Sequence, residues 1–269
     1  MNRDKVDYYR TNGFVRVDEP LFTGTRFKDL ESLARTIIDR DAPLTKPAHV
    51  KELIKNYPDF LNYIFDERVL GLVENVIGPD IGLMSSTAFI KRAGSESHFK
   101  WHNDFYEEEY FQDISKIDAT SLVIAIDHSN EETGCIKFIP GSQLRIRRKY
   151  NPITRADPDY ATEMRHSNHG LDPSEVDLEK GIVSVELPPG YCSFHDVYTV
   201  HSSVPNKSDH ERILLHFMFF NTNVSGLSPE ALAYLQKVSR KKIHLKGKDP
   251  LKTCYFSMLE LQNELFKRP

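Results

Sequence analysis

The segment Lys100-Trp101-His102-Asn103-Asp104 sets an imidazole and a carboxylate two residues apart. Alternate side chains of an extended chain share a face, so His102 and Asp104 offer two legs of a metal site. A third leg must come from a distant strand. Two histidines and one carboxylate can hold a ferrous ion and leave positions open for oxygen and substrates. His-x-Asp pairs are common on protein surfaces, so this spacing needs company before it defines a site.

Company comes from the run Tyr198 to Phe217, where two apolar-rich stretches flank the polar VPNKSDHE. The pattern predicts a β-hairpin. A turn centred near Lys207–Ser208 would pair Ser203 with Arg212 and His201 with Leu214, bringing His201, Ser203 and Arg212 to one face. A slip of one residue would separate them. An arginine fork beside a hydroxyl suits a carboxylate, because guanidinium donors match both of its oxygens. A metal-binding histidine near such an anchor is what 2-oxoglutarate requires. His195 and His216 compete with His201 for the third-ligand position. His195 adjoins Asp196, so that pair cannot share a strand face, and His216 lies in the apolar ILLHFMFF as a core or supporting histidine. His98 is expected in a loop ahead of the ligand strand.

The elements that must position these groups change along the chain. Up to about residue 78 the pattern is helical. Phe27, Leu30, Leu33, Ala34, Ile37 and Ile38 recur on one helical face, with Thr25 as the expected N-cap. VKELIKNYPDFLNYIF should break at Pro58. DERVLGLVENVIGP should run from an Asp66 cap to a Gly78-Pro79 exit. From about residue 80 to 221 the period shortens to two, in short runs bounded by turn residues, as in a sandwich or barrel. Residues 144–180 are charged and carry Pro152, Pro158 and Pro173; so long a connection is expected to be a lid or binding loop. Helical patterns return in SPEALAYLQKVSRK, capped by Ser228, and in the final SMLELQNELFK. The expectation is one α+β domain over 1–269, helical over 1–79, with a jelly-roll core over about 80–222 and helices over 226–269.

Composition narrows the classes. The 269 residues carry 39 acidic and 35 basic side chains, a net charge of −4, and this balance argues against a general nucleic-acid binder. Apolar residues are too scattered for a membrane span. The three cysteines, at 135, 192 and 254, show no CxxC spacing, so neither a disulfide framework nor a thiolate zinc site is expected. A zinc hydrolase lacks its HExxH. The opening MNRDKVDYYRTNGF has no signal-like apolar run, and a reducing, cytoplasmic setting is expected. Glu107, Glu108 and Glu109 read as a solvated face, with contact to a cationic substrate group as the alternative. Phe105 and Tyr106 read as core or pocket wall. Arg145, Arg147, Arg148 and Lys149 read as a solvated run, with an anionic substrate as the alternative. The pattern does not give the oligomeric state.

The ordered set of motifs resembles the phytanoyl-CoA dioxygenase family of iron(II)/2-oxoglutarate-dependent oxygenases. It runs from Tyr9-x-x-Asn-Gly-Phe-Val-x-Val17 through Ile77-Gly-Pro-Asp-Ile81, Trp101-His-x-Asp104 and Ala125-Ile-Asp127. Gly134-Cys-Ile-Lys-Phe-Ile-Pro-Gly-Ser142, His201-x-Ser-x-x-Asn206 and Arg212 complete it. The resemblance implies a double-stranded β-helix, a cupin-like jelly roll with packing helices. It implies that His102, Asp104 and His201 ligate Fe(II), that Arg212 anchors the distal carboxylate of 2-oxoglutarate, and that Ser203 helps the anchor. Ser121 is assigned to the same cosubstrate. It implies O2 as oxidant and hydroxylation of a small-molecule metabolite, with release of succinate and CO2. Desaturation, epoxidation, demethylation, ring rearrangement and a non-catalytic ligand-binding jelly roll are the alternatives. Many relatives have Gln and His where this chain has Asn103 and Gln143, neither a metal ligand. Related halogenases replace the carboxylate with a small residue; Asp104 keeps it.

Overall fold

Strands and helices are layered in a computed structural model that describes residues 1–42, 48–104, 118–144, 181–223, 229 and 243–248. The helices are α1 (Arg3–Asn12), α2 (Gly24–Asp41), α3 (Leu53–Asn56), α4 (Leu61–Ile64) and α5 (Glu67–Ile77), with a 3-10 turn at Pro58–Phe60. The strands are β1 (Phe14–Arg16), β2 (Ala48–Lys51), β3 (Ile81–Lys91), β4 (Phe99–His102), β5 (Ala119–Ala125) and β6 (Ile136–Phe138). They continue as β7 (Val183–Val185), β8 (Cys192–Asp196), β9 (His201–Ser203), β10 (Arg212–Asn221) and β11 (Ile243–Lys246).

Two antiparallel sheets result. The larger runs β1-β8-β5-β10-β3-β11, with β2 also on β3; the smaller runs β4-β9-β6-β7. This is the jelly-roll core of an α+β fold. The larger sheet is covered on both faces, which explains why β5 and nearly all of β10 are buried. Leu122, Ile124, Ile213, Leu215, Phe217 and Phe219 pack in one cluster with Leu30, Val69 and Val73 of the helices. Val123, Ala125 and Leu214 turn the other way and meet Phe14, Phe138 and Val185 between the sheets. The two-residue period of β5 and β10 therefore serves two cores at once.

Local signals act largely as read. Asp66 caps α5 by accepting from the Arg68 amide at 3.0 Å, and Gly78 closes it at φ 90°. Pro58 divides the second helical stretch into α3 and α4. The N-cap of α2 is Thr23 rather than Thr25, and its side chain makes no capping bond.

The N-terminal third, expected to be largely helical, also contains β1 and β2, both in the larger sheet. Their runs of three and four residues are too short to show a period. Gly13 makes the first switch: at φ 83° it ends α1 and turns the chain into β1. A Cβ there would stand 2.3 Å from Thr199 Oγ1, so the close approach also demands glycine. β11 is a strand inside the stretch expected to be helical, added to the edge of β3. Apart from 229, 247 and 248, the remaining C-terminal positions, including Ser228, lie outside the described residues. So do nearly all of 144–180, the basic run from Arg145 to Lys149, and Phe105 to Glu109.

Candidate metal centre

His102 and His201 meet across a sheet ladder. β4 pairs with β9, and these two residues are direct partners, with ring centroids 4.2 Å apart. Asp104 lies just beyond the end of β4, where its amide donates to the Val197 carbonyl at 2.9 Å. One ligand atom each from His102, Asp104 and His201 falls within 4.8 Å of the others. Asp104 Oδ1 is 3.5 Å from His201 Nε2.

A second set shares the same carboxylate. Asp104, His195 and His216 also bring their ligand atoms within 4.8 Å. The other ring nitrogens distinguish the two sets. His102 Nδ1 lies 2.7 Å from the Lys100 carbonyl, and His201 Nδ1 lies 2.9 Å from that of Thr199. A carbonyl only accepts, so each Nδ1 carries the proton and each Nε2 presents its lone pair, as metal-binding histidines are held. His195 Nδ1 is buried without a partner. Its Nε2 sits 2.8 Å from Asp104 Oδ2, and the Ser121 hydroxyl donates to the same oxygen at 2.7 Å. His195 is thus a donor that steadies the carboxylate, with His216 Nε2 3.5 Å from that oxygen. The donor set of His102, Asp104 and His201 fits a divalent iron.

Electrostatics favour the ligand forms of His102 and Asp104, but not of His201 in the metal-free site. Burial pushes His102 down to about 3, with His201 adding to the fall, so the imidazole is neutral and able to ligate. Burial pushes His195 down to about 4 against the pull of Asp104. Burial alone would raise Asp104, but His201 and His195 outweigh it and hold the carboxyl well below its ordinary range. Burial also acts to lower His201, and Asp104 reverses it, leaving that group raised.

The predicted hairpin is corrected. β9 lies in the smaller sheet, paired with β4 and β6, and β10 lies in the larger, paired with β3 and β5. Ser203 therefore faces Phe99 and Ile136 across its ladders, and Arg212 faces Lys91. The polar segment between them is an arch from one sheet to the other. Asn206 braces it, donating to the carbonyls of Lys91 and His210 and accepting from the Ser208 amide. His201, Ser203 and Arg212 still converge, because the two sheets face each other across one cavity that all three residues line. Arg212, Leu214 and His216 line it from alternate positions of β10.

Arg212 is 2% exposed, forms no ion pair among the described residues, and has an Nε without a hydrogen-bond partner. Burial pushes it down to about 10, so it stays charged at neutral pH. Ser203 lines the cavity beside it, whereas Ser121 spends its hydroxyl on Asp104 rather than on the cavity. Sequence reasoning missed Lys91, which is buried opposite Arg212. Its position at the end of an apolar strand gave no sign of burial. His98 is exposed.

A jelly roll that presents two histidines and a carboxylate at one end of a cavity and a buried arginine at the other has the architecture of a facial-triad oxygenase. The chain belongs to the phytanoyl-CoA dioxygenase (PhyH) family, whose model matches residues 9–214. It is 24% identical over 244 residues to the ectoine dioxygenase of Bordetella parapertussis, covering 85% of this chain and 78% of that one. It is 27% identical over 149 residues to a probable alpha-ketoglutarate-dependent hypophosphite dioxygenase of Stutzerimonas stutzeri, covering 55% and 48% of the two chains. Among solved structures, EvdO2 from Micromonospora carbonacea with 2-oxoglutarate superposes at TM-score 0.66 and 19% identity, covering 85% and 95%. EctD from S. alaskensis with 2-oxoglutarate and 5-hydroxyectoine superposes at TM-score 0.64 and 16% identity, covering 82% and 77%. These likenesses carry the fold.

Proposed function

We propose that the chain is a non-haem Fe(II)- and 2-oxoglutarate-dependent dioxygenase that hydroxylates a small-molecule metabolite, as one domain over 1–269 in the cytoplasm. The observation that carries this is the two-ended cavity. His102, Asp104 and His201 would hold the metal at one end, and Arg212 with Ser203 would hold the far carboxylate of 2-oxoglutarate at the other. Bound iron, 2-oxoglutarate and O2 supply the oxidising chemistry, with decarboxylation to succinate and CO2 and transfer of oxygen to substrate.

The protein's own part is orientation. The Lys100 and Thr199 carbonyls fix the two imidazoles. Ser121 and His195 occupy one oxygen of Asp104 and leave Oδ1 turned toward His201. Phe89, Phe99, Val123 and Ile136 give the cavity apolar walls. No helix among the described residues is long and apolar enough to cross a membrane.

Anaerobic Fe(II) with 2-oxoglutarate should give a visible charge-transfer band in the wild type that is absent from His102→Ala. Absence of both the band and 2-oxoglutarate-dependent iron affinity in the wild type would sink the assignment. Ectoine and hypophosphite, named for the relatives, are the first substrates to assay. Product mass decides the outcome, since a gain of one oxygen marks hydroxylation.

A further inference from the structure

Lys51, Thr87, His216 and Val123 form one row across β2, β3, β10 and β5, each the direct ladder partner of the next. Paired residues of antiparallel strands turn their side chains to the same face, and His216 and Val123 line the cavity. Val50 and Ala88, the sequence neighbours of Lys51 and Thr87, pack with the helices on the opposite face. Lys51 and Thr87 therefore stand on the cavity face, four residues along β10 from the Arg212 row, or about 13 Å. Lys51 forms no ion pair among the described residues, and burial with no opposing charge lowers its ammonium below the ordinary lysine value. Thr87 is 8% exposed, and its hydroxyl has no hydrogen-bond partner among the described residues, although buried polar groups are normally paired. His216 Nε2 lies 3.5 Å from Asp104 Oδ2, so the row begins beside the metal ligands.

We propose that Lys51 and Thr87 bind a carboxylate of the substrate, so that the metabolite oxidised is an organic acid. The ammonium supplies the counter-charge and the hydroxyl a directed donor, a pair that suits an anionic oxygen rather than a hydrocarbon. This rests on the reading that His102, Asp104 and His201 hold the oxidising metal. Neighbouring strands lie about 4.8 Å apart, so Thr87 is one spacing and Lys51 two spacings, about 10 Å, from His216. The acid group and the carbon presented to the metal are therefore several bonds apart. The competing role is that of a solvated edge lysine, since β2 pairs only with β3 and a lysine on an edge strand discourages pairing with another chain.

Calorimetric titration of the full chain, loaded with Fe(II) and saturating 2-oxoglutarate under argon, separates the two. Saturation keeps the Arg212 end filled, so a probe acid reports on binding elsewhere. The probes are hexanoate and hexanamide, equal in length and different in charge. The wild type should bind hexanoate about fivefold or more tighter than hexanamide, as a charge-assisted contact requires. Lys51→Met should bring the two probes within about twofold of each other, while Lys51→Arg keeps the preference. Thr87→Val should weaken hexanoate more than hexanamide, because the lost hydroxyl served the anion. Both Lys51→Met and Thr87→Val should bind Fe(II) and 2-oxoglutarate as the wild type does. Equal affinity for acid and amide in the wild type, no binding of hexanoate up to its solubility, or a preference unchanged in Lys51→Met overturns the proposal and leaves Lys51 an edge lysine. Weaker 2-oxoglutarate binding in Lys51→Met also overturns it, since the lysine would then serve the cosubstrate. A wild type that binds no Fe(II) with 2-oxoglutarate refutes the underlying reading instead, and that loading step is measured before any probe is added.

Discussion

Asp104 receives a different partner at each oxygen, and that division gives its neighbours distinct roles. Ser121 and His195 hold Oδ2, while Oδ1 is left toward His201. Partners behind a metal ligand typically change metal affinity by about ten- to a hundredfold when removed. His195→Leu should therefore weaken Fe(II) binding by about that factor while leaving a measurable site, whereas Asp104→Ala should abolish it; Fe(II) titration under argon reads both. An effect of His195→Leu as complete as that of Asp104→Ala would make His195 a ligand instead. At the other end of the cavity, Lys91 gives a pH signature. Its folded-state value of about 6 lies below that of an unfolded lysine, so the unfolded chain binds more protons between those limits. The contribution of Lys91 to stability therefore rises with pH from about 6 upward. In urea unfolding of the ligand-free protein between pH 6 and 9, the wild type should gain on Lys91→Met as pH rises. A difference that stays flat would contradict the burial of its charge.

At the scale of the element, β10 does two jobs on two faces. Ile213, Leu215, Phe217 and Phe219 face the helices, and Arg212, Leu214 and His216 face the cavity. Substitutions on the two faces should part stability from binding. Phe217→Ala empties a fully buried site near Phe60 and should cost about 3–5 kcal/mol in urea unfolding. Arg212→Met replaces a buried charge that has no ion pair among the described residues, so stability should hold or rise while 2-oxoglutarate binding is lost. A large destabilisation by Arg212→Met would show that the guanidinium is structural. The strand itself was legible, because a run of apolar and aromatic residues needs only neighbours to define it. The partners of β10 were not, because a polar segment between two apolar runs is compatible with a tight hairpin or with an arch between sheets. The braced Asn206 arch decides between them, through contacts to Lys91 far away in the chain.

For the whole molecule, the cavity joins β4 and β9 of one sheet to β8 and β10 of the other, so its ligands should stabilise the fold as a unit. Saturation at about a hundred times the dissociation constant contributes about 2.7 kcal/mol to a two-state fold. Fe(II) with 2-oxoglutarate under argon should raise the thermal midpoint of the wild type and leave that of Asp104→Ala unmoved; an equal shift in both would place binding elsewhere. The sequence by itself determined the helices around Leu30 and Val69 and the strand periods, because capping and periodicity are local, and its motifs singled out His102, Asp104, His201 and Arg212 as candidates. Only the tertiary structure decided that His201 pairs with His102, that His195 and Ser121 share an oxygen of Asp104, and that Lys91 lies buried against Arg212. Those contacts join residues 90 or more apart in the chain, or strands of opposite sheets, and are set by which faces the closed jelly roll turns toward one another.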